Sequence, residues 1–366
     1  VEASARCTVE VDLGAIRHNV RRLRAAAPRA ACFAVVKADA YGHGAVPVAR
    51  AALEAGAEAL CVATLAEAQE LRAALGDGVR IIILFPLAPG EEREASGFEV
   101  VVSTPDVVER MRTTGLAYDV HVKVDTGMGR WGLTAADAGP IVADLLAGRL
   151  PGWRLRGISS HLATADDPDP RFVRTQLERF LAFTAKAPGV PRHLANSAGT
   201  LGHPATHLEA VRPGIALYGA SPFGDEGADH GLRPAMRWTS SVQLVRRLAP
   251  GESSGYGRRF IAREETTVAL VPVGYADGYL RRLSGRADVL IGGRRRRVID
   301  PISMDQLTVV VDDSVRVGDP VVLLGEQQGE RISADELARR AETLPQEILC
   351  AVVARPTRAR RVVVGG

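Results

Sequence analysis

Cysteine is scarce and scattered in this chain. The four cysteines, Cys7, Cys32, Cys61 and Cys350, lie far apart in 366 residues and form no CxxC or Cys/His ligand spacing. That pattern excludes a disulfide framework, gives no reason to expect a structural metal, and points to a reducing, cytoplasmic setting. Three of the four stand in apolar surroundings, as small buried hydrophobes do. Long apolar runs are also missing. The longest, Ile81 to Leu87, is far too short to span a bilayer, and no basic-then-apolar signal pattern opens the chain. Nor does charge of one sign dominate: the net charge is +3 at pH 7, so neither nucleic acid nor a membrane surface is expected as a partner. The one basic cluster, Arg294 to Arg297, follows Gly292-Gly293 and reads as a solvated hairpin tip. No GxGxxG follows the first strand candidate, which argues against a dinucleotide-binding open sheet.

What is present is an ordinary globular composition, 46% hydrophobic, over a length that suits two domains. After a helix predicted over 13–27, eight short apolar segments begin at Cys32, Ala59, Arg80, Glu99, Val120, Leu155, Arg192 and Glu209. Helical segments separate most of them, with starts signalled by Thr104-Pro105-Asp106 and Asp169-Pro170. Continuous apolar strands alternating with helices predict a parallel sheet covered on both faces. Eight such units predict an α/β chain built on a closed (β/α)8 TIM-like barrel, with a doubly wound open sheet as the runner-up. Beyond about Leu232 the texture changes to strands with Gly-rich breaks and one helix capped by Ser333. The predicted division is a barrel over 1–234 and a mainly β domain over 235–366.

The stretch Ala34 to Gly44, AVVKADAYGHG, ends an apolar strand with a lysine. A desolvated lysine amine there can join an aldehyde cofactor, and Tyr41 and the glycine turn can hold a phosphate. A strand-capping lysine that reaches solvent is the plainer alternative. In a barrel, chemistry collects at the C-terminal ends of the strands, and the unusual polar residues fall at those ends. They are Lys37, Lys123, Asp125, Arg130 in the loop beyond, His161, Asn196, Ser197 and Arg212. Gly214 and Ile215 follow Arg212 and offer backbone amides with room for close approach. An amine, several cations and an anion-binding turn make a set that suits pyridoxal 5'-phosphate.

Eight blocks in order carry a family resemblance: AVVKADAYGHG, KVDTGMGRWG from Lys123, SSHLATAD from Ser159, HLANSAGT from His193, VRPGIALYG from Val211, SGYGRRF from Ser254, VPVGYADG from Val271 and ISMDQ from Ile302. Together the chain resembles the alanine racemase family over about residues 7 to 365. The resemblance implies that Lys37 carries pyridoxal phosphate and that Tyr41, Ser197, Gly214 and Ile215 anchor its phosphate. It implies that Arg212 meets the pyridine nitrogen and that His161 links Arg212 to Tyr256. Arg130 would hold the substrate carboxylate, and Lys123 matches a position that some members carbamylate. Tyr256 and Met304 would come from the partner subunit, so a cytoplasmic homodimer with shared active sites is expected. The implied reaction interconverts L- and D-alanine with two bases, Lys37 and Tyr256, and supplies D-alanine for peptidoglycan. A broader racemase acting on serine or a longer side chain is the alternative. A related decarboxylase would place an acid where Arg212 stands, and a non-catalytic carrier would lack the second domain. Two departures bear on substrate size: Ala354 stands where many members have tyrosine, and Asp300-Pro301 where they have Gly-Arg. Both predict a wider or wetter entrance.

Overall fold

Short apolar strands that alternate with helices bury both of their faces here. The computed structural model describes residues 6–224, 230–352 and 358–365. Eight parallel strands close a barrel: β2 (Ala31–Val35), β3 (Ala59–Val62), β4 (Ile81–Ile83), β5 (Glu99–Val102), β6 (Tyr118–Lys123), β7 (Trp153–Ser159), β8 (Arg192–His193) and β9 (Ala210–Val211). Alternate residues split between two cores. Phe33, Val35, Cys61, Ile82 and Val101 pack inside the barrel, while Ala34, Leu60, Ile81, Ile83 and Val100 pack outward. That division explains why the sequence shows unbroken apolar runs. The doubly wound alternative is set aside by closure, because β9 pairs with β2 and leaves no edge strand.

Local chemistry fixes the helix starts. Asp12 accepts the amide of Ala15 and so starts the helix Leu13–Ala26. Thr64 and Glu67 form a reciprocal capping box at the head of Leu65–Leu75. Thr104 caps Pro105–Thr113, which has proline in its first turn.

The second half is built on a sheet that the first half helps to complete. Strand β1 (Cys7–Asp12) lies between Met236–Ser241, antiparallel, and Ala359–Val364, parallel. Its alternation of buried Cys7, Val9 and Val11 with half-exposed neighbours is visible in the sequence, but its partners lie more than 200 residues away. A second helix, Pro345–Ala351, follows Ala334–Ala341 in this half. The arginine run requires a correction. The hairpin tip is Gly292-Gly293, both with positive φ, and Arg294–Arg297 is the returning edge strand. Its arginines are paired: Arg295 bonds Glu336 at 2.6 and 3.0 Å, and Arg296 bonds Asp312 at 2.7 Å. A charged edge strand resists pairing with other sheets.

Among the described residues, no helix is long and apolar enough to cross a membrane.

Candidate active site

The strand that leads to Lys37 stops two residues short of it, at Val35. Lys37 instead opens a turn in which Ala38, Asp39, Ala40 and Tyr41 all have φ between 52° and 54°. Left-handed backbone costs an L-residue about 1–2 kcal/mol, so four in a row need outside support. Asp39 supplies it by accepting the Ala45 amide at 2.8 Å and Arg361 at 2.5 Å. The Ala38 amide donates to Glu67 at 2.7 Å, the same glutamate that closes the capping box. Gly42 ends the turn, where a Cβ would stand 2.7 Å from the Leu349 carbonyl. The turn that presents Lys37 is thus held from three directions.

Lys37 opens into a cavity of about 350 Å³ at the C-terminal ends of the barrel strands. The cavity is lined by four cations, Lys37, Lys123, Arg130 and Arg212, and by one carboxylate, Asp166. Burial, reinforced by Arg130, lowers the Lys37 amine below its ordinary value. Burial first, then Arg212, Arg130 and Lys37, brings Lys123 down to about 8. Burial, followed by the same cations, pushes His161 well below its usual range, so its imidazole is neutral. Arg212 is buried with no carboxylate at ion-pair distance among the described residues. It donates to the carbonyls of His193 at 2.7 Å and Ser160 at 2.6 Å, and burial brings it down to about 10. The loop carrying Arg130 is folded by Asp125, whose side chain accepts the amides of Gly127, Met128 and Gly129.

One wall is shaped for an anion. Ser197 Oγ accepts the amides of Gly214 at 2.9 Å and Ala216 at 3.3 Å, leaving its own proton free to donate. A Cβ at Gly214 would fall 2.6 Å from the Tyr41 hydroxyl. Only glycine lets the Tyr41 hydroxyl approach the backbone that closely. The Tyr41 ring is set by Tyr218, 4.8 Å between centroids, whose hydroxyl donates to the Val35 carbonyl.

Ten of the residues singled out from the sequence therefore gather in one cavity: Lys37, Tyr41, Lys123, Arg130, His161, Asn196, Ser197, Arg212, Gly214 and Ile215. Tyr256 and Met304 do not. They line a separate open depression on the second half with Gly255, Ser303, Asp305 and Gln306, and are 76% and 53% exposed. Gly255 and Gly257, both with positive φ, push Tyr256 outward. The Met304 loop is braced by Gly274 to Asp277: the Ala276 amide donates to the Met304 carbonyl at 3.0 Å, and buried Asp277 accepts the Gly274 amide and Arg358. Asp277→Ala is expected to lower the unfolding free energy by about 3 kcal/mol in urea titrations, because it strips Arg358 of a buried partner. Pro301 packs against Gly255, and Asp300 pairs with Arg259 at 3.3 Å. Ala354 lies outside the described residues.

Sequence reasoning missed other residues of the cavity, among them Asp166, His193, Leu344 and Gln346. Asp166 and His193 stand inside the quoted motifs SSHLATAD and HLANSAGT, but neither was singled out. Leu344 and Gln346 come from the second half, with no motif to mark them.

Comparison with known proteins agrees with this geometry. The family model for the alanine racemase N-terminal domain matches residues 11–222, and that for the C-terminal domain matches residues 235–360. An alanine racemase of Symbiobacterium thermophilum is 44% identical over 95% of each chain, and one of Mycolicibacterium smegmatis is 44% identical over 95% of this chain and 93% of its own. The crystal structure of alanine racemase from D-cycloserine-producing Streptomyces lavendulae superposes with a TM-score of 0.93 at 41% identity, covering 100% of this chain and 98% of that one. That of Bartonella henselae, with covalently bound pyridoxal phosphate, gives 0.88 at 28% identity, covering 98% and 100%. Across both halves and nearly all of its length, the chain belongs to the alanine racemase family of isomerases.

Proposed function

We propose that the protein interconverts L- and D-alanine by a two-base mechanism on pyridoxal phosphate, in a homodimer whose sites are each built from two chains. The observation that carries this reading is the division of the site. A cation-lined cavity holds Lys37, and an exposed depression on the other half holds Tyr256 and Met304. A site complete within one chain would not leave those two groups on the surface.

Pyridoxal phosphate fits the donor set: the Tyr41 hydroxyl held against Gly214 and the Ser197 hydroxyl suit a phosphate, and the Lys37 amine, with its lowered pKa, suits an aldehyde. When bound, it supplies an electron sink for the α-carbon of an amino acid. Arg130 holds the substrate carboxylate and so fixes which bond at the α-carbon faces each base. From the D-isomer, Lys37 would remove the α-proton on its face and the partner's phenol would deliver a proton to the opposite face. From the L-isomer the phenol would remove the proton and Lys37 would deliver one. Inversion requires one group on each face, since a single base tends to replace the proton where it came from. Arg212 does not give up its proton near neutrality, so it would hold the pyridine nitrogen of the bound cofactor unprotonated and weaken the electron sink the cofactor supplies. An Arg212→Glu protein is expected to show longer-lived red-shifted absorption with alanine and more transamination. No change in either would count against this role.

Lys123 is a candidate for carbamylation. Its neutral amine would attack carbon dioxide, forming an N–C bond and releasing a proton to solvent, and the resulting anion would accept from Arg130. The neutral amine is the nucleophile, so uptake of labelled bicarbonate, followed by carbon NMR, should rise as pH increases through about 8. Uptake independent of pH would contradict it.

The assay that tests the main reading follows L-alanine, L-serine and L-lysine by chiral chromatography with purified protein and pyridoxal phosphate. D-alanine formation is expected, and it would provide a precursor of peptidoglycan. Pro301, which replaces an arginine beside Tyr256, favours a second reading in which the entrance also admits serine. A D-alanine to D-serine turnover ratio as high as that of strict alanine enzymes would remove it.

A further inference from the structure

The barrel interior carries three ionisable groups that the reaction does not use. Glu99, His121 and His193 are all buried, in an interior otherwise filled by Phe33, Val35, Cys61, Ile82 and Val101. Their contacts form one unbranched chain. Arg212 Nη1 meets His193 Nδ1 at 2.5 Å, His193 Nε2 meets His121 Nδ1 at 2.9 Å, and His121 Nε2 meets Glu99 Oε2 at 2.8 Å. Arg80 closes the far end with two bonds to Glu99, at 2.7 and 3.0 Å. Arg156 approaches Glu99 to 3.9 Å, and the Phe33 ring abuts His193 edge-on.

The two ends dictate the direction of every bond between them. A guanidinium only donates, so His193 Nδ1 must be bare and its proton must sit on Nε2. That proton points to His121 Nδ1, which must also be bare, so the His121 proton lies on Nε2 and points to Glu99. A carboxylate only accepts, so the last link agrees with the first. Burial, and for His193 also Arg212, keeps both imidazoles below their usual range and neutral. Burial works to raise the Glu99 carboxyl, but the bonds from His121 and Arg80 outweigh it and hold the group at about 2. Apolar side chains would fill this layer without the cost of burying charge.

We propose that Glu99, His121 and His193 form a one-way hydrogen-bond relay that positions Arg212 and polarises its guanidinium toward the cavity, which makes them positioning residues for racemisation. This rests on reading the cavity as a pyridoxal-phosphate site.

The test begins with nitrogen NMR of histidine-labelled wild-type protein, with and without cofactor. Both rings should be neutral with the proton on Nε2 between about pH 6 and 9. A proton on Nδ1 of either ring overturns the proposal. His121→Leu should lower kcat about tenfold, with little change in KM, and shift the visible absorption of bound pyridoxal phosphate. His121→Gln should recover most of both, because its amide can accept from His193 and donate to Glu99. A folded His121→Leu holoenzyme with wild-type absorption and kcat within about twofold of wild type overturns the proposal. If both variants fail to fold, the tautomers of the wild-type protein decide. Wild-type protein that takes up no pyridoxal phosphate defeats the cofactor reading, and the tautomers remain readable on the same sample.

Discussion

A Lys37→Ala protein is expected to racemise alanine about 10⁴-fold more slowly than the wild type, because one substitution removes both the cofactor's covalent anchor and one of the two bases. The turn around it should survive. Its bracing runs through Asp39, Glu67 and Gly42, none of which bonds the Lys37 side chain. The amine itself has no carboxylate within ion-pair distance among the described residues, and its nearest notable contact is the Phe85 ring at 5.2 Å. Loss of activity would therefore report chemistry and leave folding intact, which circular dichroism checks. Borohydride reduction of the wild-type protein, followed by peptide mass analysis, should mark Lys37 alone. Added methylamine should return part of the lost rate by standing in for the missing amine. Activity near that of the wild type in Lys37→Ala would refute the role.

Tyr256→Phe is expected to slow racemisation by about 10²–10⁴-fold, the span of a lost general acid–base group. Tyr256 is 76% exposed in the single chain, so removing its hydroxyl should leave stability unchanged. The diagnostic effect is asymmetry. In deuterated water the variant should still exchange the α-hydrogen of D-alanine through Lys37, while exchange from L-alanine should fall with the racemisation rate. Equal loss of exchange from both isomers would assign Tyr256 a binding role, not a basic one.

Much of the fold was legible because barrel strands obey a local rule. Several are short, apolar on both faces and followed by a helix with a recognisable cap, as at Thr64 and Thr104. What escaped depends on distant partners. Strand β1 alternates plainly, yet nothing local says that it joins a sheet formed by residues from the other end of the chain. The arginine run looked like a solvated tip because its acids, Asp312 and Glu336, are 16 and 41 positions away in the pairs they form with Arg296 and Arg295. Lys37 was expected at a strand end, but four left-handed residues follow it, three of them ordinary L-residues of no turn propensity beyond Asp39. Tertiary bracing overrides local preference there. The site residues were legible through motifs and through their place at strand ends. Glu99, His121 and His193 were not, since a polar residue inside an apolar strand gives no sign of which neighbour it meets.

Subunit complementation tests the shared site most directly. Lys37→Ala and Tyr256→Phe proteins, each nearly inactive, are mixed, dissociated and reassembled. If each site takes Lys37 from one chain and Tyr256 from the other, every mixed dimer holds one intact site, and random pairing should restore about a quarter of the wild-type rate. If both groups of a site came from the same chain, no pairing would rebuild one, and the reassembled mixture would stay as inactive as its parents.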